Sequence, residues 1–176
     1  MNHDTGSALN ILLAEDDPLD VQLTLAALAE HPLASKVIVV RDGVEVLDYL
    51  YRRGAFASRP AGNPILVLLD LKMPRVNGLE VLKIIKADPQ LKVIPVVILS
   101  SSRETPDLVE CYQHGVNAYV VKPVEYGEFV KAVRQLGIFW AGINEAPPPL
   151  SGAAPTRPET EAANPAVTPP PPAAGP

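Results

Sequence analysis

The sequence holds a single cysteine, Cys111, so no disulfide can close within it. Cys111 lies in what reads as a helix, where a buried thiol is the ordinary role. Basic residues are in the minority: 15 Lys and Arg stand against 20 Asp and Glu, for a formal net charge of −5. There is no basic block of the kind that neutralises a phosphate backbone, so nucleic acid is not an expected partner. No apolar run approaches the roughly 20 residues of a membrane span. The opening residues, MNHDTGSALN, also lack the basic-then-apolar order of a secretory signal. The expectation is a cytoplasmic protein that does not enter a membrane. Residues 145–176 contain no Phe, Tyr or Trp, yet hold 11 of the 20 prolines. Such a segment cannot bury enough apolar surface to offset its ordering entropy. A disordered tail is therefore expected over 144–176 and one folded domain over 9–143.

Within that domain, short apolar runs alternate with longer amphipathic ones. Strands are expected at Leu9–Ala14, Lys36–Val40, Ile65–Leu69, Ile94–Leu99 and Ala118–Val121. Helices follow each of them. Asp17 is placed to cap the first and Pro18 suits its first position. Asp42 and Glu45 have capping-box spacing at the start of the second, which is expected to run to about Arg53. A long loop covers Gly54–Pro64. Gly78–Ala87 is the third helix, Thr105 to Gly115 the fourth with Gly115 as a left-handed stop, and Tyr126–Leu136 the fifth. Continuous apolar strands are buried on both faces. The pattern predicts an α/β fold, a (βα)5 parallel sheet covered by helices on both sides, in one of a few doubly wound topologies.

In such sheets ligands sit outside the carboxyl ends of the strands. Glu15, Asp16 and Asp17 follow the first strand, Asp70 the third, Ser100 to Ser102 the fourth and Lys122 the fifth. The end of the second strand, Arg41-Asp42, offers nothing comparable. If the other four strands are neighbours, Glu15, Asp16 and Asp70 bring negative charges together, which must hold protons or gather a cation. Carboxylate oxygens suit a hard ion such as Mg²⁺. With that ion and Lys122 the site nears neutrality and can take a phosphoryl group, which carries roughly −1.5 to −2. Each residue alone has a plainer role: helix caps at Glu15–Asp17, a turn residue at Asp70, loop polarity at Ser100–Ser102, a surface lysine at Lys122. Their coincidence at four strand ends is what favours the functional reading.

The motifs ILLAEDDP (11–18), LLDLKMPRVNG (68–78), PVVILSSS (95–102) and NAYVVKP (117–123) resemble the receiver domains of two-component response regulators. The resemblance covers about Leu9 to Gln135 and implies a flavodoxin- or CheY-like sheet with strand order 2-1-3-4-5. It implies Asp70 as phosphoacceptor, Asp16 as a direct Mg²⁺ ligand assisted by Glu15, and the backbone carbonyl of Lys72 as a further ligand. Lys122 would pair with the phosphoryl group, through a cis bond to Pro123. Ser100 and Tyr119 take the places of the family's switch residues. The extra residues around Gly54–Pro64 and the LGIFWAGINEAPP ending look like single-domain regulators that serve phytochrome-type histidine kinases. The implied role is a stand-alone phosphorelay component that signals to a downstream protein or passes the phosphoryl group on. It would catalyse its own phosphorylation and dephosphorylation and would not be a metabolic enzyme. Phe139 and Trp140, just past the fifth helix, either fold back onto the core or form a contact surface for a dimer, and a homodimer through the fourth helix, fifth strand and fifth helix is expected.

Two other chemistries use similar parts. An Asp-nucleophile phosphatase would carry Asp-x-Asp after the first strand, whereas here the candidate nucleophile follows the third and position 72 is Lys. A nucleotide or flavin binder would carry a Gly-rich turn where Glu15-Asp16-Asp17-Pro18 stands. A receiver that only mediates contacts is the third alternative; the full acidic set with Lys122 argues against it.

Overall fold

Five short strands of unbroken apolar sequence have no polar face to show to water, so the chain must cover both sides of them. The computed structural model describes residues 10–29, 37–123 and 125–145. Its strands are β1 (Ile11–Ala14), β2 (Val37–Val40), β3 (Leu66–Leu69), β4 (Val96–Ser100) and β5 (Ala118–Val121). Its helices are α1 (Pro18–Leu28), α2 (Gly43–Leu50), α3 (Gly78–Ala87), α4 (Thr105–Gln113) and α5 (Tyr126–Ile138). All strands pair in parallel, in the order β2-β1-β3-β4-β5. This is the doubly wound (βα)5 arrangement expected from the sequence. The expected strand starts at Leu9 and Lys36, and the tail beyond Glu145, lie outside the described residues.

Alternate strand residues feed two separate cores. Leu12, Ala14, Val67, Leu69 and Ile98 pack with Val46, Leu50, Val81, Leu82, Ile85 and Cys111, on the side of α2 to α4. Ile11, Leu13, Leu66, Leu68, Val97 and Leu99 pack with Val21 and Leu28 of α1 and Phe129 and Val133 of α5. Full burial of each Leu, Ile or Val contributes roughly 1.5–3 kcal/mol. These two layers hold the sheet as a rigid plate.

Local signals set the helix ends. Asp17 Oδ1 accepts from the N–H groups of Leu19 and Asp20, with Pro18 in the first position. Gly115 ends the α4 turn at φ +80°. At α2 the capping box is half formed: Asp42 accepts the Glu45 N–H, but the Glu45 carboxylate turns to the Arg41 N–H. The complete box lies at α3, where Asn77 and Glu80 cap each other's backbone. Helix α2 also stops at Leu50 rather than near Arg53, because Arg52 adopts φ +54°. Gly54–Phe56 then form one 3-10 turn, and a π-helical turn over Phe139–Ile143 extends α5.

The order reverses between β1 and β3, so the loops after these strands diverge and open a crevice at their carboxyl ends. Among the described residues no helix is long and apolar enough to cross a membrane.

Candidate phosphoryl-acceptor site

Backbone pairing continues one residue beyond the strands and fixes the residues that follow them. Asp70 N–H donates to the Ala14 carbonyl (3.0 Å), Glu15 N–H to that of Val40 (3.0 Å) and Lys122 N–H to that of Ser100 (2.7 Å). Their side chains therefore leave the sheet at the same edge of the crevice. Carboxylate oxygens of Glu15, Asp16 and Asp70 all lie within 4.8 Å of one another. Glu15 and Asp70 are buried, while Asp16 faces outward.

Lys122 reaches into this acidic group from β5. Its Nζ is 2.6 Å from Glu15 Oε2, 2.7 Å from Asp20 Oδ2 and 3.3 Å from Asp70 Oδ2. The remaining oxygens are used locally: Glu15 Oε1 accepts the Asp17 N–H and Asp70 Oδ1 the Lys72 N–H. Burial raises the pKa of both Glu15 and Asp70, and the ammonium of Lys122 partly offsets it. For Lys122, burial acts against the charge, but hydrogen bonds to Asp20 and Glu15 and the charge of Asp70 outweigh it and raise the pKa. Three clustered carboxylate oxygens, two from buried residues, are the donor set a hard divalent cation takes. The residues present fit such an ion.

Ser100 is fully buried at the end of β4, one residue later than the sequence pattern places the strand's end, because its pairing with Val121 of β5 carries the ladder that far. Its Oγ accepts the Ser102 N–H. Ser102 in turn donates to Asp107 of α4 at 2.7 Å, and its carbonyl accepts the Tyr119 hydroxyl at 3.1 Å. The two expected switch residues thus meet on Ser102.

The Lys122–Pro123 bond is trans, and no peptide is cis among the described residues. This corrects the expectation of a cis bond. An X–Pro bond leans trans by about 0.5–1 kcal/mol unless its surroundings require otherwise, and Lys122 reaches all three carboxylates with the bond trans. Phe139 and Trp140 lie away from the crevice and part company. Trp140 packs onto the core between α1 and α5, whereas Phe139 stays 47% exposed, edge-on to the Trp140 ring.

Asp20 is the site residue that sequence reading missed. It lies in the first turn of α1, just past the Asp17 cap, and a further acidic residue at the start of a helix that leaves the crevice was the only signal. Asp42, at the end of the second strand, lies outside the site; it caps α2 and pairs with Arg75 of the β3–α3 loop.

Residues 11–134 match the family described as the response regulator receiver domain. The chain is 36% identical to the response regulator Rcp1 of Synechocystis over 130 residues, 74% of this chain and 87% of Rcp1. The crystal structure of the Mn²⁺-bound form of Rcp1 superposes with a TM-score of 0.74 at 35% identity, over 78% of this chain and 98% of that one. The phosphorylated cyanobacterial phytochrome response regulator RcpA gives 0.74 at 39% identity, covering 79% and 98%. The bacteriophytochrome response regulator RtBRR gives 0.64 at 58% identity, covering 79% and 84%. With the match spanning all five strands and all four strand ends that carry the site, the chain belongs to the response regulator receiver domain family.

Proposed function

We propose that this chain accepts a phosphoryl group on Asp70 from a phosphohistidine of a histidine kinase, and that the kinase is of the phytochrome type. The observation that carries the reading is Asp70 itself: a buried carboxylate clustered with Glu15 and Asp16, with the Lys122 ammonium 3.3 Å away. Similarity to RcpA and RtBRR supports the phytochrome assignment. Glu15, Asp16 and Asp70, with the Lys72 carbonyl, would hold Mg²⁺, which when bound neutralises charge on the transferring oxygens. An Asp70 oxygen attacks phosphorus as the phosphorus–nitrogen bond breaks, and the histidine nitrogen leaves with the electron pair. Lys122 balances the charge of the aspartyl phosphate. Ser100 turns its hydroxyl toward a phosphoryl oxygen, and Tyr119 leaves the Ser102 carbonyl to follow it. Water attack at phosphorus later returns Asp70, so the chain catalyses its own loading and unloading and is not a metabolic enzyme.

The output is the face of α4, β5 and α5, whose equilibrium between two arrangements the phosphoryl group shifts. Its receiver is a downstream protein or the next phosphoacceptor in a relay. Leu108, Val109, Tyr112 and Tyr126 are exposed on α4 and α5, which supports homodimerisation through that face. Light scattering that gives a monomer mass at tens of micromolar would remove the dimer.

The test of the main reading is incubation with Mg²⁺ and acetyl phosphate, followed by intact mass. A Mg²⁺-dependent gain of one phosphoryl group, absent in Asp70→Asn, is the expected result. No gain in the folded wild-type chain would leave a contact module without phosphotransfer.

A further inference from the structure

We propose that Asp20 is a positioning residue that competes with the phosphoryl group for Lys122. The proposal rests on the receiver reading above and deepens it. Asp20 Oδ2 lies 2.7 Å from Lys122 Nζ, closer than Asp70 Oδ2 at 3.3 Å. A rigid element delivers it, since Asp20 is in the first turn of α1 and its own N–H is held by Asp17 Oδ1 at 3.1 Å. The pair joins residues 102 positions apart, from opposite edges of the crevice.

The three carboxylates around Lys122 differ in their other uses. Glu15 and Asp70 belong to the cluster with Asp16 that suits a cation; Asp20 does not. When that cluster is engaged, Asp20 keeps its claim on the ammonium. Lys122 has three N–H donors, and its Nζ already lies within hydrogen-bond distance of three carboxylate oxygens. A phosphoryl group on Asp70 must therefore draw Nζ from a partner, and Asp20 is the one with no other role in the site. An ion pair made in the resting arrangement and weakened in the phosphorylated one biases the equilibrium toward rest.

The experiment uses the full chain with Asp20→Asn and Asp20→Glu and has two arms. Without metal or phosphate, acetylation of Lys122 by acetic anhydride is followed by peptide mass. The expected result is severalfold faster labelling in Asp20→Asn and a wild-type rate in Asp20→Glu; an unchanged rate in Asp20→Asn overturns the proposal. In Mg²⁺, affinity for beryllium fluoride, a phosphoryl mimic, is measured by calorimetry. Asp20→Asn is expected to bind it roughly two- to fivefold more tightly, the range of a partly exposed ion pair, with Asp20→Glu restoring the wild-type value. Equal or weaker binding in Asp20→Asn overturns the proposal. If the wild-type chain binds no beryllium fluoride while the labelling arm responds, the receiver reading itself has failed, and the competitor role falls with it.

Discussion

Lys122 Nζ sits closer to Glu15 Oε2, at 2.6 Å, than to Asp70 Oδ2, at 3.3 Å. Glu15 is 2% exposed, so its charge has little water to turn to. Lys122 thus acts as the internal cation of the crevice. Removing one member of such a buried pair leaves the other uncompensated, which is costlier than losing the attraction alone. Lys122→Ala is expected to destabilise the metal-free protein by about 3 kcal/mol, the low end for breaking a buried pair. Mg²⁺ should recover part of that loss, since a divalent ion can replace the missing charge. Thermal unfolding in EDTA and in excess Mg²⁺ checks both statements. The same loss of stability with and without Mg²⁺ would show that Lys122 and the acidic cluster are not electrostatically coupled.

Gly78 opens α3 directly behind the acceptor residue. A Cβ there would come within 2.1 Å of the Asp70 carbonyl oxygen and 2.8 Å of Leu71 Cα. Both are backbone atoms, so no rotamer change can relieve the contact. Gly78→Ala is expected to cost about 2–3 kcal/mol, in the range of overpacked sites, and to lower the rate of Asp70 phosphorylation by moving its backbone. Denaturant unfolding and intact-mass labelling report the two effects separately. Wild-type values in both would mean that the loop gives way at no cost.

The fold was legible because five runs of Leu, Val and Ile carry no polar face. That pattern allows burial on both sides and little else. The acidic cluster and Lys122 were legible because parallel strands all end on one edge, so the residue after each apolar run has a known address. Asp20 and Arg75 were not readable in the same way. Asp20 sits on a helix face that the sequence does not orient, and its partner is 102 residues away. Arg75 lies in an irregular loop at φ +65° and meets Asp42, 33 residues distant. The half-formed capping box has a local cause: the Glu45 carboxylate accepts the Arg41 N–H, one residue before the cap.

Asp42 both caps α2 and accepts Arg75, and the two tasks respond differently to substitution. Burial opposes its charge, but the Glu45 N–H and the Arg75 guanidinium outweigh it and hold its pKa below the ordinary 3.8. A carboxyl whose folded pKa is lowered contributes stability above its unfolded pKa and loses it as pH falls through the folded value. Asn caps a helix about as well as Asp, so Asp42→Asn removes chiefly the ionic part. The expected loss at neutral pH is about 0.5–1 kcal/mol, kept small because Arg75 is half exposed. Asp42→Ala also removes the cap and should cost about 1 kcal/mol more. Urea midpoints across pH decide it: the gap between wild type and Asp42→Asn should close as pH falls below about 4. A gap that persists at the lowest pH would mean that the charge of Asp42 contributes nothing.

Cys111 supplies a test of packing at the output helix. It is the inward residue of α4, fully buried against the α2–α4 core, while Leu108, Val109 and Tyr112 of the same helix face outward. Burial pushes its thiol pKa up to about 11, and the charges of Asp107 and Glu110 push the same way, against Lys83. Only the thiolate alkylates readily. At pH 8 the folded chain should therefore hold roughly a hundredth of the thiolate of the unfolded chain, and reaction with iodoacetamide should slow by at least that factor. Any reaction of the native protein would then measure how often α4 lifts from the sheet. Alkylation as fast in the native state as in urea would mean that α4 does not stay packed over Cys111, and the buried thiol read from the sequence would be wrong. If protection holds, beryllium fluoride with Mg²⁺ should change the alkylation rate, because the path from Ser100 through Ser102 to Asp107 ends on the first turn of this helix.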